Sequence, residues 1–131
     1  MSWDRPVAAA ALVAVLEDAV ADMTPPASVF AQPPSTHNPP ALVVQYPSQV
    51  ILHQPAFPID TATVTVLAVG GIDDPGTVDA LLSVSVAAVE ADPQLGAVVQ
   101  HARPVEHRTW RIVNVAGADY LTAELALEIR M

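Results

Sequence analysis

Residues 61–91 read TATVTVLAVGGIDDPGTVDALLSVSVAAVEA, a strand, a turn and a helix in one stretch, and their reading decides the fold. Thr61, Thr63 and Thr65 alternate with Ala62, Val64 and Val66, giving one polar and one apolar face at the period of a β-strand. The apolar run continues through Leu67, Ala68 and Val69, so a strand is expected over Thr61–Gly70. Gly70-Gly71 and Asp73-Asp74-Pro75-Gly76 mark a turn. Thr77 is suited to cap a helix over Thr77–Ala91, whose apolar stripe runs from Val78 through Leu81, Leu82, Val84 and Val86 to Val89. Asp92-Pro93 stops it, because proline cannot continue the helical hydrogen-bond ladder.

Beyond this unit the chain reads as strands. Ala97–Ala102 is a short apolar run and Arg108–Val115 a longer one that carries Trp110 and Ile112. After a Gly117-Ala118-Asp119 turn, Leu121, Ala123, Leu125, Leu127 and Ile129 alternate strictly with Thr122, Glu124, Ala126, Glu128 and Arg130, the pattern of an antiparallel strand with one wet face. On the N-terminal side a helix is expected over Pro6–Met23, with Asp4 as its cap, Pro6 in its first turn and Thr24-Pro25-Pro26 ending it. Its run Val7–Leu16 is wholly apolar, yet it follows no basic leader and meets Glu17, Asp18 and Asp22. A spanning helix needs about 20 apolar residues, so this one is expected to be buried in a soluble protein.

Nine of the 13 prolines lie between Pro25 and Pro58. Within that segment Ala41–Tyr46 and Gln49–His53 are β-prone runs separated by Pro47-Ser48. Flanking prolines point to edge strands or an extended hairpin arm rather than a central strand. The alternatives are an ordered surface loop and an arm that orders on a neighbouring subunit. The expected order is α-β-β-β-α-β-β-β. This is an α+β domain spanning 1–131, with a mixed, mainly antiparallel sheet, two helices on one face and the proline-rich arm at 25–58.

Composition excludes several functions. The 131 residues suffice for one domain with its own core. Fourteen acidic residues face five arginines and no lysine, for a net charge of −9. That balance argues against sequence-specific nucleic-acid binding and against an anionic membrane surface, both of which call for clustered Lys and Arg. The absence of cysteine excludes disulfides, a thiol nucleophile and cysteine-ligated metals.

No catalytic signature emerges. Gly70-Gly71 is the nearest approach to a phosphate cradle, but it precedes an acidic turn and matches no GxGxxG or P-loop pattern. His101, Glu106 and His107 could supply metal ligands, though Pro104 lies among them and neither HExxH nor HxH spacing occurs. His37 and His53 fall in the proline-rich segment. Asp73-Asp74 could act as an acid–base pair, but beside Pro75-Gly76 they read more simply as turn and helix-start charges. None of the six serines sits in a GxSxG elbow. No enzyme activity, cofactor or metal is expected.

Charge is segregated along the chain. Residues 1–100 hold ten acids and one arginine and so carry the whole −9, whereas residues 101–131 balance four acids against four arginines. Arg103, His107, Arg108 and Arg111 form the basic cluster. It serves either ordinary salt bridges within the domain or an interface with an acidic neighbour.

The apolar first helix, the segment NPPALVVQYP, the strand TATVTVLAVGGIDD, the helix GTVDALLSVSVAAVEADPQLG and the closing RTWRIVNVAGADYLTAELALEIRM together resemble the small neck proteins of long-tailed phages of actinobacteria, most closely the tail terminator, or tail completion, group. The likeness rests on element order and texture over nearly the whole chain. It implies a non-enzymatic virion protein, made in the host cytoplasm, that forms a hexameric ring with itself. Such a ring caps the major tail tube protein and docks it to the head-tail connector or stopper. On this reading Arg103, Arg108 and Arg111 are expected to pair between subunits, with Tyr46, Trp110 and Tyr120 as aromatic anchors or core. The alternatives are a head-to-tail stopper or adaptor of the same neck, and a small metal-dependent or ligand-binding domain using His101, Glu106 and His107.

Overall fold

A computed structural model describes residues 4–23, 27–32, 39–47, 49–52, 60–115 and 117–131, with backbone only at 106–108 and 115. The elements are α1 (Arg5–Val20), β1 (Ser28–Phe30), β2 (Ala41–Val44), β3 (Gln49–Ile51), β4 (Thr61–Gly71), α2 (Pro75–Ala91), β5 (His101–Val115) and β6 (Ala118–Arg130). The fold is α+β. The sheet runs β1-β2-β4-β6-β5, and β3 also pairs with β4. Every pairing is antiparallel except β1 with β2, so the sheet is mixed.

Local chemistry sets the helix starts. The Asp4 carboxylate accepts from Val7 N–H at 3.2 Å, and α1 carries its proline in the first turn, where no backbone donor is lost. α2 is capped by Asp74 rather than Thr77: the carboxylate accepts from Thr77 N–H at 3.2 Å and from Thr77 Oγ1 at 2.6 Å. Both helices lie on one face of the sheet. α1 covers β1 and β2, α2 covers β4, β6 and β5, and the helices touch each other. Leu12 and Leu16 of α1 and Leu81 and Leu82 of α2 meet Leu42, Val64, Val66, Leu125, Leu127 and Ile129 in one core. Each such side chain contributes about 1.5–3 kcal/mol on burial. The opposite face carries a smaller cluster, in which Ala41, Val43 and Val69 are flanked by Phe30, Leu67 and Tyr120.

Several sequence expectations are corrected. The run Ala97–Ala102 is not a strand. Leu95, Gly96 and Ala97 adopt positive φ values of 48°, 71° and 65°, and β5 begins only at His101. The apolar residues of that loop owe their character to the core instead, since Leu95 and Val99 are buried in it. β5 is then one strand of 15 residues, containing Pro104 and an irregularity between Pro104 and Arg108. β1 was not expected, and it makes the element order α-β-β-β-β-α-β-β. β2 is internal and buried at all four residues, because β1 covers the side that Pro40 had marked as an edge. β2 and β3 do not form a hairpin with each other. Both pair with β4, end to end along it, so among the described residues the proline-rich segment adds strands to the sheet. Its residues 25–26, 33–38, 48 and 53–58 lie outside the described residues. α1 stops at Val20, short of the expected Met23.

Candidate assembly surface

The pleat sorts the candidate residues by face. Residues directly opposite in an antiparallel pair share a face. Trp110 lies opposite Ala123 and Ile112 opposite Leu121, on the side occupied by the helices. Arg103 opposite Glu128, Thr109 opposite Glu124, and Arg111 opposite Thr122 lie on the other side. The loop after α2 returns the chain to β5 at its beginning, where Ala102 N–H donates to Pro93 O at 2.6 Å. Ala102 is therefore buried, whereas Trp110 is 42% exposed and Ile112 67% exposed. The second half of β5 projects apolar side chains that no helix covers.

The arginines separate into different roles. Arg103 donates through Nε at 3.4 Å and Nη2 at 3.3 Å to the two carboxylate oxygens of Glu128, and Arg130 approaches Glu128 at 3.2 Å. The Arg103 hydrogen bond, followed by the charges of Arg103 and Arg130, holds the Glu128 carboxyl below its ordinary value against the opposing effect of burial. Arg103 thus serves a bridge within the subunit. Arg111 is exposed, and its carbonyl accepts from Thr122 Oγ1 at 3.1 Å. The Arg108 side chain lies outside the described residues.

The aromatic anchors are not brought together. Tyr46 is exposed beyond the end of β2, with the Arg5 guanidinium 4.3 Å from its ring centroid. The same Arg5 donates through Nη2 to Ala31 O at 2.8 Å, tying α1 to the chain just after β1. Tyr120 is half-buried in the small cluster on the face away from the helices. Only Arg103, Trp110 and Arg111 share a strand, with Arg108 in its backbone. Ile112, the most exposed of the large apolar side chains, was missed as a surface residue. Its spacing from Trp110 reads as a core face, and nothing local says where α2 stops covering it.

The other candidates receive plain placements. Beside Gly70-Gly71 the Thr77 amide and hydroxyl at the α2 start already donate to the Asp74 carboxylate, whose charge would repel a phosphate there. An open groove there is lined by Pro39, Pro40, Gly70, Gly71, Asp74 and Thr77. His101 is exposed opposite Arg130, and the side chains of Glu106 and His107, like His37 and His53, lie outside the described residues. Among the described residues no three His, Asp or Glu side chains are grouped to hold a metal ion, and no helix is long and apolar enough to cross a membrane. No protein-family model matches the chain, and no curated protein matches it.

Proposed function

We propose that this chain is a structural subunit of a phage neck, a tail terminator whose ring, a hexamer in the family it resembles, caps the tail tube and docks it to the head-tail connector. Its work is geometric: each subunit presents surfaces that bind the next subunit, the tube and the connector, and no covalent step is involved. One observation carries the reading. An outer strand normally carries devices that stop it from pairing with another chain, such as proline, bulges and charge. β5 has Pro104 and the irregularity before Arg108 in its first half. Its second half, from Arg108 to Val115, is free of proline and glycine and carries exposed Trp110 and Ile112. An outer stretch with no proline or bulge from Arg108 onward, carrying uncovered apolar side chains beside Arg108 and Arg111, suits a subunit that is completed by its neighbours.

The test is co-expression with a major tail tube protein from the same genome, followed by native mass measurement and negative-stain imaging. Closed rings, and tubes of defined length ending in a ring, are the expected result. A chain that stays monomeric and leaves tube growth unaltered at every ratio refutes the proposal.

A further inference from the structure

We infer that subunits join head to tail through their sheets, the outer edge of β5 in one copy pairing antiparallel with β1 of the next. The inference rests on the ring reading and names the two surfaces that would make it.

Strand polarity comes first. β2 runs opposite to β4, β4 opposite to β6, and β6 opposite to β5, while β1 runs with β2. β1 and β5, the two ends of the strand order, are therefore antiparallel. Laying one subunit beside the next without inverting it continues the sheet with an antiparallel junction.

Register comes second. Following the pairings across the sheet, Ser28 stands level with Ala41, Val69, Thr122 and Arg111. In the same way Val29 is level with Trp110, and Phe30 with Thr109. The three residues of β1 thus lie at the height of the exposed half of β5. Among the described residues, β1 pairs only with β2 and β5 only with β6.

The helix face agrees with this arrangement, and the charges disfavour β5 pairing with itself. Trp110 and Ile112 stand on the face where α1 lies over β1 and β2, so a neighbour's α1 is the element they reach. α1 is apolar from Val7 to Leu16, and Val7, Ala10 and Ala14 remain exposed on it. A surface helix normally carries polar residues on its outer side. α1 also bears exposed Glu17 and Asp18, with exposed Asp22 just beyond its end, while its one arginine is engaged with Tyr46 and Ala31. β5 contains three arginines and one acid. Arg111 stands on the face of the sheet away from α1, so these charges bear on the choice of strand partner and not on contact with the acids of α1. Pairing β5 with β5 would set basic strands against each other.

The chain has no cysteine, so an engineered disulfide reports a single contact. Ser28 and Arg111 occupy the same face at the same level, and directly opposed residues of an antiparallel pair are about 4.5–5.5 Å apart at Cα, within disulfide reach. The double variant Ser28→Cys with Arg111→Cys, oxidised and run without reductant, is expected to give a ladder of covalent oligomers. Each single variant is expected to give none. Ile112→Glu, at a position exposed in the monomer, is expected to raise the concentration needed for assembly at least about tenfold. Dimers from Arg111→Cys alone would show β5 pairing with itself and overturn the inference. Rings seen by native mass measurement without the ladder would overturn it while leaving the ring reading intact. A strict monomer overturns both, and a ladder whose rings fail to cap tubes upholds the interface and removes the tail-terminator role.

Discussion

Replacing Gly70 by alanine probes the point where β4 hands the chain to α2. A β-carbon built on Gly70 stands 2.5 Å from Val78 Cγ2 and 3.6 Å from Asp74 O. Carbon atoms pack best at about 3.5–4.0 Å, so roughly 1 Å must be recovered by displacement. Val78 is fully buried and cannot swing aside. The first turn of α2 is held by the Asp74 N–H to Gly71 O bond of 3.0 Å and by the Asp74 cap. Overpacking of this kind costs about 1–3 kcal/mol, and the stiffer unfolded chain of alanine returns about 0.4–1 kcal/mol. A net loss of about 1–2 kcal/mol is expected, which lowers Tm by several degrees in a domain of this size. Val78→Ala alone removes buried methyl groups and costs about 2–3 kcal/mol. In the double variant the new methyl enters the space left by Val78 Cγ2. Its loss should fall short of the sum of the singles by at least about 1 kcal/mol. Urea unfolding followed by circular dichroism, with a common m value, measures all four proteins. A Gly70→Ala protein as stable as the parent, or a strictly additive double variant, refutes the reasoning.

Removing the α2 cap by Asp74→Ala should cost about 0.5–2 kcal/mol in the same assay, with Asp74→Asn restoring most of it. Glu128 has a lowered carboxyl pKa in the folded state, so its contribution is fully present above the ordinary carboxylate range and is lost as pH falls through the lowered value. Glu128→Gln should therefore be less stable than the parent near neutrality, by no more than about 1 kcal/mol for so exposed a bridge, with the urea midpoints converging in acid. A difference that does not depend on pH counts against the Arg103–Glu128 bridge. With Trp3→Phe as background, Trp110 is the remaining tryptophan, and its emission should move to shorter wavelength as concentration rises and β5 becomes covered. Emission independent of concentration, in a sample that assembles, places the interface elsewhere.

Elements with one wet face were legible from sequence. β4 and β6 show their alternation in Thr61–Val66 and Leu121–Arg130, and both pair along their length in the core of the sheet. α2 was legible from its apolar stripe and the Asp92-Pro93 stop. β1 was not, since a three-residue strand is too short for periodicity to register. The loop at 97–100 was misread because burial, rather than strand geometry, sets the apolar character of its buried residues. Proline around β2 pointed to an edge, yet Pro40 and Pro47 only flank the paired residues and cost the ladder nothing. At the candidate surface, charge segregation was visible in the chain, but the assignment of Arg103 to Glu128 depends on a cross-strand register 25 residues away in sequence.

The amino-acid sequence by itself determined the α+β class, the capped start of α1 and the inward faces of β4 and β6, because each follows from contacts within a few residues. Tertiary structure alone decided that β1 and β5 end the strand order and that α2 leaves Trp110 and Ile112 uncovered. Those outcomes depend on pairings between residues far apart in the chain, which periodicity cannot encode. The surface proposed for assembly lies at those two ends of the sheet.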